Sequence, residues 1–178
     1  TGSFSATGIG HGTDRALVAG LLGMRPDNIC IPESFDHAAK AGMEFTFEHE
    51  TIRGAHPNTA LLEVWDKGGR TVSVQASSLG GGRILVNKLD GVEINVTAQR
   101  PALIVHNVDQ PGHVAEVTSM LAHKSINIAT LNLYRDKRGG YAVMVIETDQ
   151  NIPSSCLDWL KRVEGIIKVT CLNLGEEE

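Results

Sequence analysis

Between Ala102 and Cys171 the chain passes through six apolar segments whose spacing reads strand, helix, strand, strand, helix, strand. Few folds accept that order. Ala102-Leu103-Ile104-Val105 is a short continuous apolar run, stopped by the turn residues Asp109-Gln110-Pro111-Gly112. Val114, Val117 and Leu121 then recur at helical spacing as far as Lys124. From Ile128 to Tyr134 the period falls to two, with Ala129, Leu131 and Leu133 on one side and Thr130, Asn132 and Tyr134 on the other. Asp136-Lys137-Arg138-Gly139-Gly140 turns this strand into Ala142–Ile146. Ser155, with Asp158 three residues on, reads as a capping box opening a helix that carries Leu157, Leu160 and Val163. Ile167, Val169 and Cys171 alternate with Lys168 and Thr170 as the last strand. The expected unit is a ferredoxin-like β-α-β-β-α-β sandwich.

A boundary is expected near Thr97–Pro101, where one strand pattern ends and a proline precedes the next apolar run. This gives two domains, 1–98 and 99–178, and an α+β class for the whole. The first domain opens with an extended piece and a glycine-rich loop, then a helix through Ala16, Leu17, Gly20 and Leu21 that stops at Gly23. Ser34 to Gly42 suits a second short helix. Asp66-Lys67-Gly68-Gly69 and Asp90-Gly91 are hairpin turns between apolar runs, so the remainder is expected to be mainly antiparallel sheet. The opening strand has no upstream partner and the first residue is Thr1, which leads to the expectation that the native chain starts earlier.

With 42% hydrophobic and 21% charged residues, the 178-residue chain has an ordinary globular composition. A net charge of −5 leaves no basic stripe for phosphates, and 4% aromatics leave few stacking platforms, so nucleic acid is not an expected partner. No apolar run approaches membrane-spanning length. Cys30, Cys156 and Cys171 lie far apart with no CxxC pair, which fits reduced thiols in a cytoplasmic protein better than disulfides or a zinc site. The chain is expected to hold no metal cluster by itself.

Three sites carry possible chemistry. Gly8-Ile9-Gly10-His11-Gly12-Thr13-Asp14 sets one imidazole among glycines just ahead of a helix, where it can exchange protons near neutral pH. The same pattern also serves as a plain turn. Ser78-Leu79-Gly80-Gly81-Gly82 can converge backbone N–H groups on an anion, or simply bend a strand. It lacks the lysine and spacing of a Walker loop. Asn107-Val108-Asp109-Gln110-Pro111-Gly112 precedes a helix whose first N–H groups suit a carboxylate, and Asn127 adds an amide before the next strand. Asn107 and Asp109 equally suit the shaping of a turn. His56-Pro57-Asn58-Thr59 is read as a structural turn.

The segment from Val105 to Gln150, with Asp109-Gln110-Pro111-Gly112 and Ser125-Ile126-Asn127-Ile128-Ala129, resembles an ACT domain, a module that often binds amino acids at dimer interfaces. The first domain resembles the β chain of the bacterial iron–sulfur L-serine dehydratases. Gly2-Ser3-Phe4, Gly10-His11-Gly12-Thr13-Asp14, His56-Pro57-Asn58-Thr59 and Leu79-Gly80-Gly81-Gly82 occur in the matching order. The resemblance implies conversion of L-serine to pyruvate and ammonia, by loss of water and hydrolysis of the enamine. It implies a partner α chain whose cysteines hold a 4Fe–4S cluster, an open iron of which acts as Lewis acid on the hydroxyl. His11 then becomes the candidate base for the α-proton, oriented by Thr13 or Asp14. Ser78 and Gly80, Gly81 and Gly82 become candidates for binding substrate or anion. Asn107, Asp109, Gly112 and Asn127 become candidates for the ACT ligand, and the ACT domain implies a homodimer. The family's β chain normally begins with a segment containing Ser-Ser-Ser-His-Thr, absent here, which again implies a missing N-terminal piece. The first domain also resembles the allosteric substrate-binding domain of some phosphoglycerate dehydrogenases, which implies an alternative role as a non-catalytic serine sensor.

Overall fold

The structure is a computed structural model that describes residues 12–173. Its contacts divide it into two compact units between Ala60 and Leu61.

In the first unit, α1 (Thr13–Leu21) starts where the Ala16 N–H reaches the Gly12 carbonyl, and it buries Val18 and Ala19. A 3₁₀ turn (Ile31–Glu33), with Pro32 as its second residue, feeds α2 (Ser34–Ala41). Proline suits that first turn because its missing N–H would lack an intrahelical partner anyway. The Ser34 hydroxyl donates to the Arg15 carbonyl at 2.9 Å, tying α2 to α1. The Arg15 guanidinium donates to the Pro32 carbonyl and lies 4.8 Å from the centre of the Phe35 ring. Phe35, Phe45 and Phe47 stack as a small aromatic group, with Phe35 and Phe45 centroids 4.9 Å apart.

The second unit holds two sheets. β1 (Thr59–Trp65), whose first two residues precede the division, β2 (Thr71–Gly80), β3 (Arg83–Leu89) and β4 (Val92–Val96) form an antiparallel meander. Both expected hairpins are present. β5 (Ala102–Val108), α3 (His113–His123), β6 (Ile128–Arg135), β7 (Tyr141–Thr148), α4 (Ser154–Leu160) and β8 (Ile166–Leu172) follow in the expected order. Their sheet runs β6-β7-β5-β8. The two sheets share one unit, so the boundary read at 98/99 separates sheets rather than compact units.

Each face of the β5–β8 sheet buries a different set of residues. Leu103, Val105, Met144 and Ile146 meet Val117, Leu121, Cys156 and Leu160 of the helices. On the other face, Ile104, Val143, Val145 and Tyr134 meet Val72, Val74, Val86, Ile94 and Val96 of the meander. β5 and β7 are therefore covered on both sides, which explains why they read as continuous apolar runs. Burying each such side chain is worth roughly 1.5–3 kcal/mol, so both seams matter to stability.

The capping box was misplaced. α4 begins at Ser154 after Pro153, whose extended backbone lets its carbonyl accept the Cys156 N–H at 3.0 Å, and no side chain caps the end. Ser155 is thus inside the helix.

Candidate functional site

His11 lies outside the described residues. Thr13 and Asp14 form the first turn of α1, where the Asp14 carboxylate accepts the Arg15 N–H at 2.8 Å. A carboxylate there is favoured by the helix dipole and keeps the turn in place. Both residues belong to the first unit, and the other candidates to the second.

Gly80, Gly81 and Gly82 are the tip of the β2–β3 hairpin, with φ of 84°, 61° and 74°. Three successive left-handed residues are costly for any side chain, which is why the tip is glycine throughout. A Cβ at any of them would meet nothing within 4 Å, so conformation rather than crowding sets the requirement. Ser78 pairs with Ile84 beside a register shift. The tip exposes backbone and is compatible with either the anion site or the plain bend.

The turn after β5 is built around Asp109. Its Oδ2 accepts the Gly139 N–H at 2.9 Å and an Arg135 N–H at 3.3 Å, and its own N–H donates to the Gly140 carbonyl. The Gly139 N–H, then Arg135, hold this carboxyl below the usual range. Asn107 is buried; its amide donates to the Val108 carbonyl at 2.7 Å, while its Oδ1 has no partner. Gly112 leads into α3, and its carbonyl accepts the Glu116 N–H. Asn107, Asp109 and Gly112 thus gather at one end of the sheet, with Arg135 and Gly139.

Asn127 does not join them within one chain. Ile128 pairs with Thr148 and Asn107 with Ala142, so Asn127 stands at the opposite end, roughly 20 Å away at the usual rise per residue. Its amide donates to Asp149 at 2.6 Å, and Asp149 also pairs with Arg100.

His56 behaves as a turn residue. Its ring accepts the Asn58 N–H and its carbonyl accepts the Thr59 hydroxyl. Among the described residues no group of three His, Cys, Asp or Glu side chains is placed to hold a metal ion. No described helix is long and apolar enough to cross a membrane.

Sequence reasoning missed a cluster at the seam between the sheets. The fully buried His106 shares a hydrogen bond through Nδ1 with the Tyr141 hydroxyl. Its Nε2 has no hydrogen-bond partner and sits 3.9 Å from Asp90 Oδ2. Asp90, at the β3–β4 turn with φ of 46°, accepts Lys168 Nζ at 2.5 Å and the Ser73 N–H at 2.9 Å. Burial pushes the Asp90 carboxyl up, but Lys168 and the Ser73 N–H outweigh it and leave it below its ordinary value. Burial holds the His106 imidazole below 6.5, partly offset by Asp90. Burial, then the Asp90 charge, raises the Tyr141 hydroxyl. The available signal was a histidine ending an apolar run at Val105.

Residues 102–165 match the ACT domain family, and residues 1–42 match the serine dehydratase beta chain family. A probable L-serine dehydratase beta chain from Bacillus subtilis is 37% identical over 95% of this chain and 76% of its own length. The L-serine dehydratase beta chain of Peptoniphilus asaccharolyticus is 32% identical over 92% and 74%. A D-3-phosphoglycerate dehydrogenase from Archaeoglobus fulgidus is 26% identical over 90% of this chain but 31% of itself. Near-complete coverage by two dehydratase β chains, with the ACT segment at the position where the β-α-β-β-α-β unit folds, places the chain in the L-serine dehydratase beta-chain family.

Proposed function

We propose that the chain is the β subunit of an enzyme that converts L-serine to pyruvate and ammonia, active only with an α chain that carries an iron–sulfur cluster. The observation that carries this reading is the 37% identity, across 95% of the sequence, to a relative named a probable L-serine dehydratase beta chain. What this chain would contribute is a proton acceptor. An imidazole at His11, just before α1 in the sequence, is the residue type suited to removing the α-proton of serine. Asp14 is already engaged with the first turn of the helix, and this supports a positioning role for it and Thr13. The glycine tip at 80–82, with Ser78, would offer N–H groups to the substrate carboxylate. The test is anaerobic pyruvate formation by the α–β complex with His11→Ala. Loss of turnover in an intact complex is expected, and wild-type turnover would remove His11 from the chemistry.

In this reading the ACT domain pairs two β chains and senses an amino acid. β6 is an edge strand, and Asn127 precedes its start while the Asp109–Arg135 pair marks its end. Antiparallel pairing of two β6 edges sets Asn127 of one copy beside the Asn107–Gly112 turn of the other, completing a site that neither copy holds alone. Light scattering is expected to give a dimer, and a strict monomer at micromolar concentration would overturn the pairing.

A second reading, a sensor without chemistry of its own, draws on the likeness to phosphoglycerate dehydrogenases over 90% of the chain. It predicts serine binding with no dependence of turnover on His11.

A further inference from the structure

We infer that the second unit carries a separate binding site for a free α-amino acid, in the cavity beside the Asp90–Lys168 pair, remote in kind from the ACT turn and independent of the dehydratase reading. The cavity is a groove open to solvent, of about 590 Å³, lined by Glu63, Trp65, Thr71, Ser73, Asp90 and Lys168. Its shape is held from both ends. The β1–β2 turn is locked by Asp66, which accepts the Arg70 backbone N–H at 3.0 Å and its guanidinium at 2.6 Å. The opposite wall is pinned by Lys168, whose Nζ donates to Asp90 at 2.5 Å and to the Thr71 carbonyl at 3.2 Å.

The charges select the ligand. Two carboxylates, Glu63 and Asp90, face one ammonium, Lys168, so the lining is negative by one charge and favours a guest that brings a cation. Trp65 is 72% exposed although it belongs to a strand, and its indole offers a face for that cation. Glu63 is exposed and forms no ion pair among the described residues, so its carboxylate is open to an ammonium group. An ammonium side chain has three N–H donors, and Lys168 spends two on Asp90 and Thr71. The third suits a carboxylate. A molecule carrying an ammonium and a carboxylate on one carbon meets both demands, and the Thr71 and Ser73 hydroxyls accommodate a short polar side chain.

Trp65 and Trp159 are the only tryptophans. In the full chain carrying Trp159→Phe, emission therefore comes from Trp65 alone, on the wall of the cavity. L-serine is the probe, with ethanolamine lacking the carboxylate and glycerate lacking the ammonium. A saturable change with serine is expected, with about tenfold weaker binding in Lys168→Met and in Glu63→Gln, as removal of a charged hydrogen bond implies. Ethanolamine and glycerate are both expected to bind more weakly than serine. Asp109→Asn, which touches only the ACT turn, is expected to leave the response intact. Absence of a saturable response well into the millimolar range would overturn the proposal. So would an unchanged affinity in Glu63→Gln, an exposed position that folding tolerates, or loss of the response in Asp109→Asn.

Discussion

Replacing Asp90 with Asn removes one charge from the seam between the sheets and little else. Asn tolerates the left-handed turn that Asp90 adopts at φ 46°, and its amide oxygen still accepts the Ser73 N–H. What is lost is the carboxylate 2.5 Å from Lys168 Nζ. Removing one partner from a fully buried pair costs about 3–5 kcal/mol, whereas an exposed pair is worth about 0–1 kcal/mol. Lys168 is 32% exposed and Asp90 19%, so the pair lies between these limits. We expect Asp90→Asn to destabilise the chain by about 2 kcal/mol, a fall of roughly 4–8 °C in Tm for a chain of this size. Urea denaturation of wild type, Asp90→Asn, Lys168→Met and the double variant separates the pair from its surroundings, since Met keeps the apolar stem of Lys168. The coupling energy is expected at about 1–2 kcal/mol. A coupling below about 0.5 kcal/mol would show that the pair behaves as a surface contact and that apolar packing alone holds the sheets together.

Other consequences follow from the same geometry. Gly165 sits at φ 82°, and a Cβ there would lie 2.6 Å from His113 Nε2, so Gly165→Ala should cost about 2–3 kcal/mol in urea unfolding, part of it recovered in a His113→Ala background. Burial holds His106 below its ordinary 6.5, so on acidification the unfolded chain takes up that proton first. Stability from this group is full above about 6.5 and is lost as pH falls from there through the folded value. The urea midpoint should decline over that window, and less steeply in His106→Gln; equal slopes would show that His106 does not set the response.

The sequence was most legible where burial imposes a period. The strand and helix order from Ala102 to Leu172 follows from spacing alone, and so do the Asp66–Gly69 and Asp90-Gly91 hairpins. What escaped depends on pairing between distant segments. Asp90, His106, Tyr141 and Lys168 come from a turn and three strands, and only the antiparallel registers bring them together. Nothing local distinguishes Lys168 from any other polar residue on an alternating strand. Asn127 was grouped with Asn107 by motif, yet parallel placement of β5 and β6 sends them to opposite ends. Ser155 is not the cap because Pro153, already extended, takes that position and starts the helix two residues earlier.

The most direct test of the dehydratase account is anaerobic pyruvate formation from L-serine by three samples, this chain alone, its α chain alone with reconstituted iron, and the two combined. The account predicts turnover in the combined sample only. Turnover by the α chain alone at the combined rate, or none in the combined sample while serine still binds this chain, would contradict it and leave the sensor reading in its place.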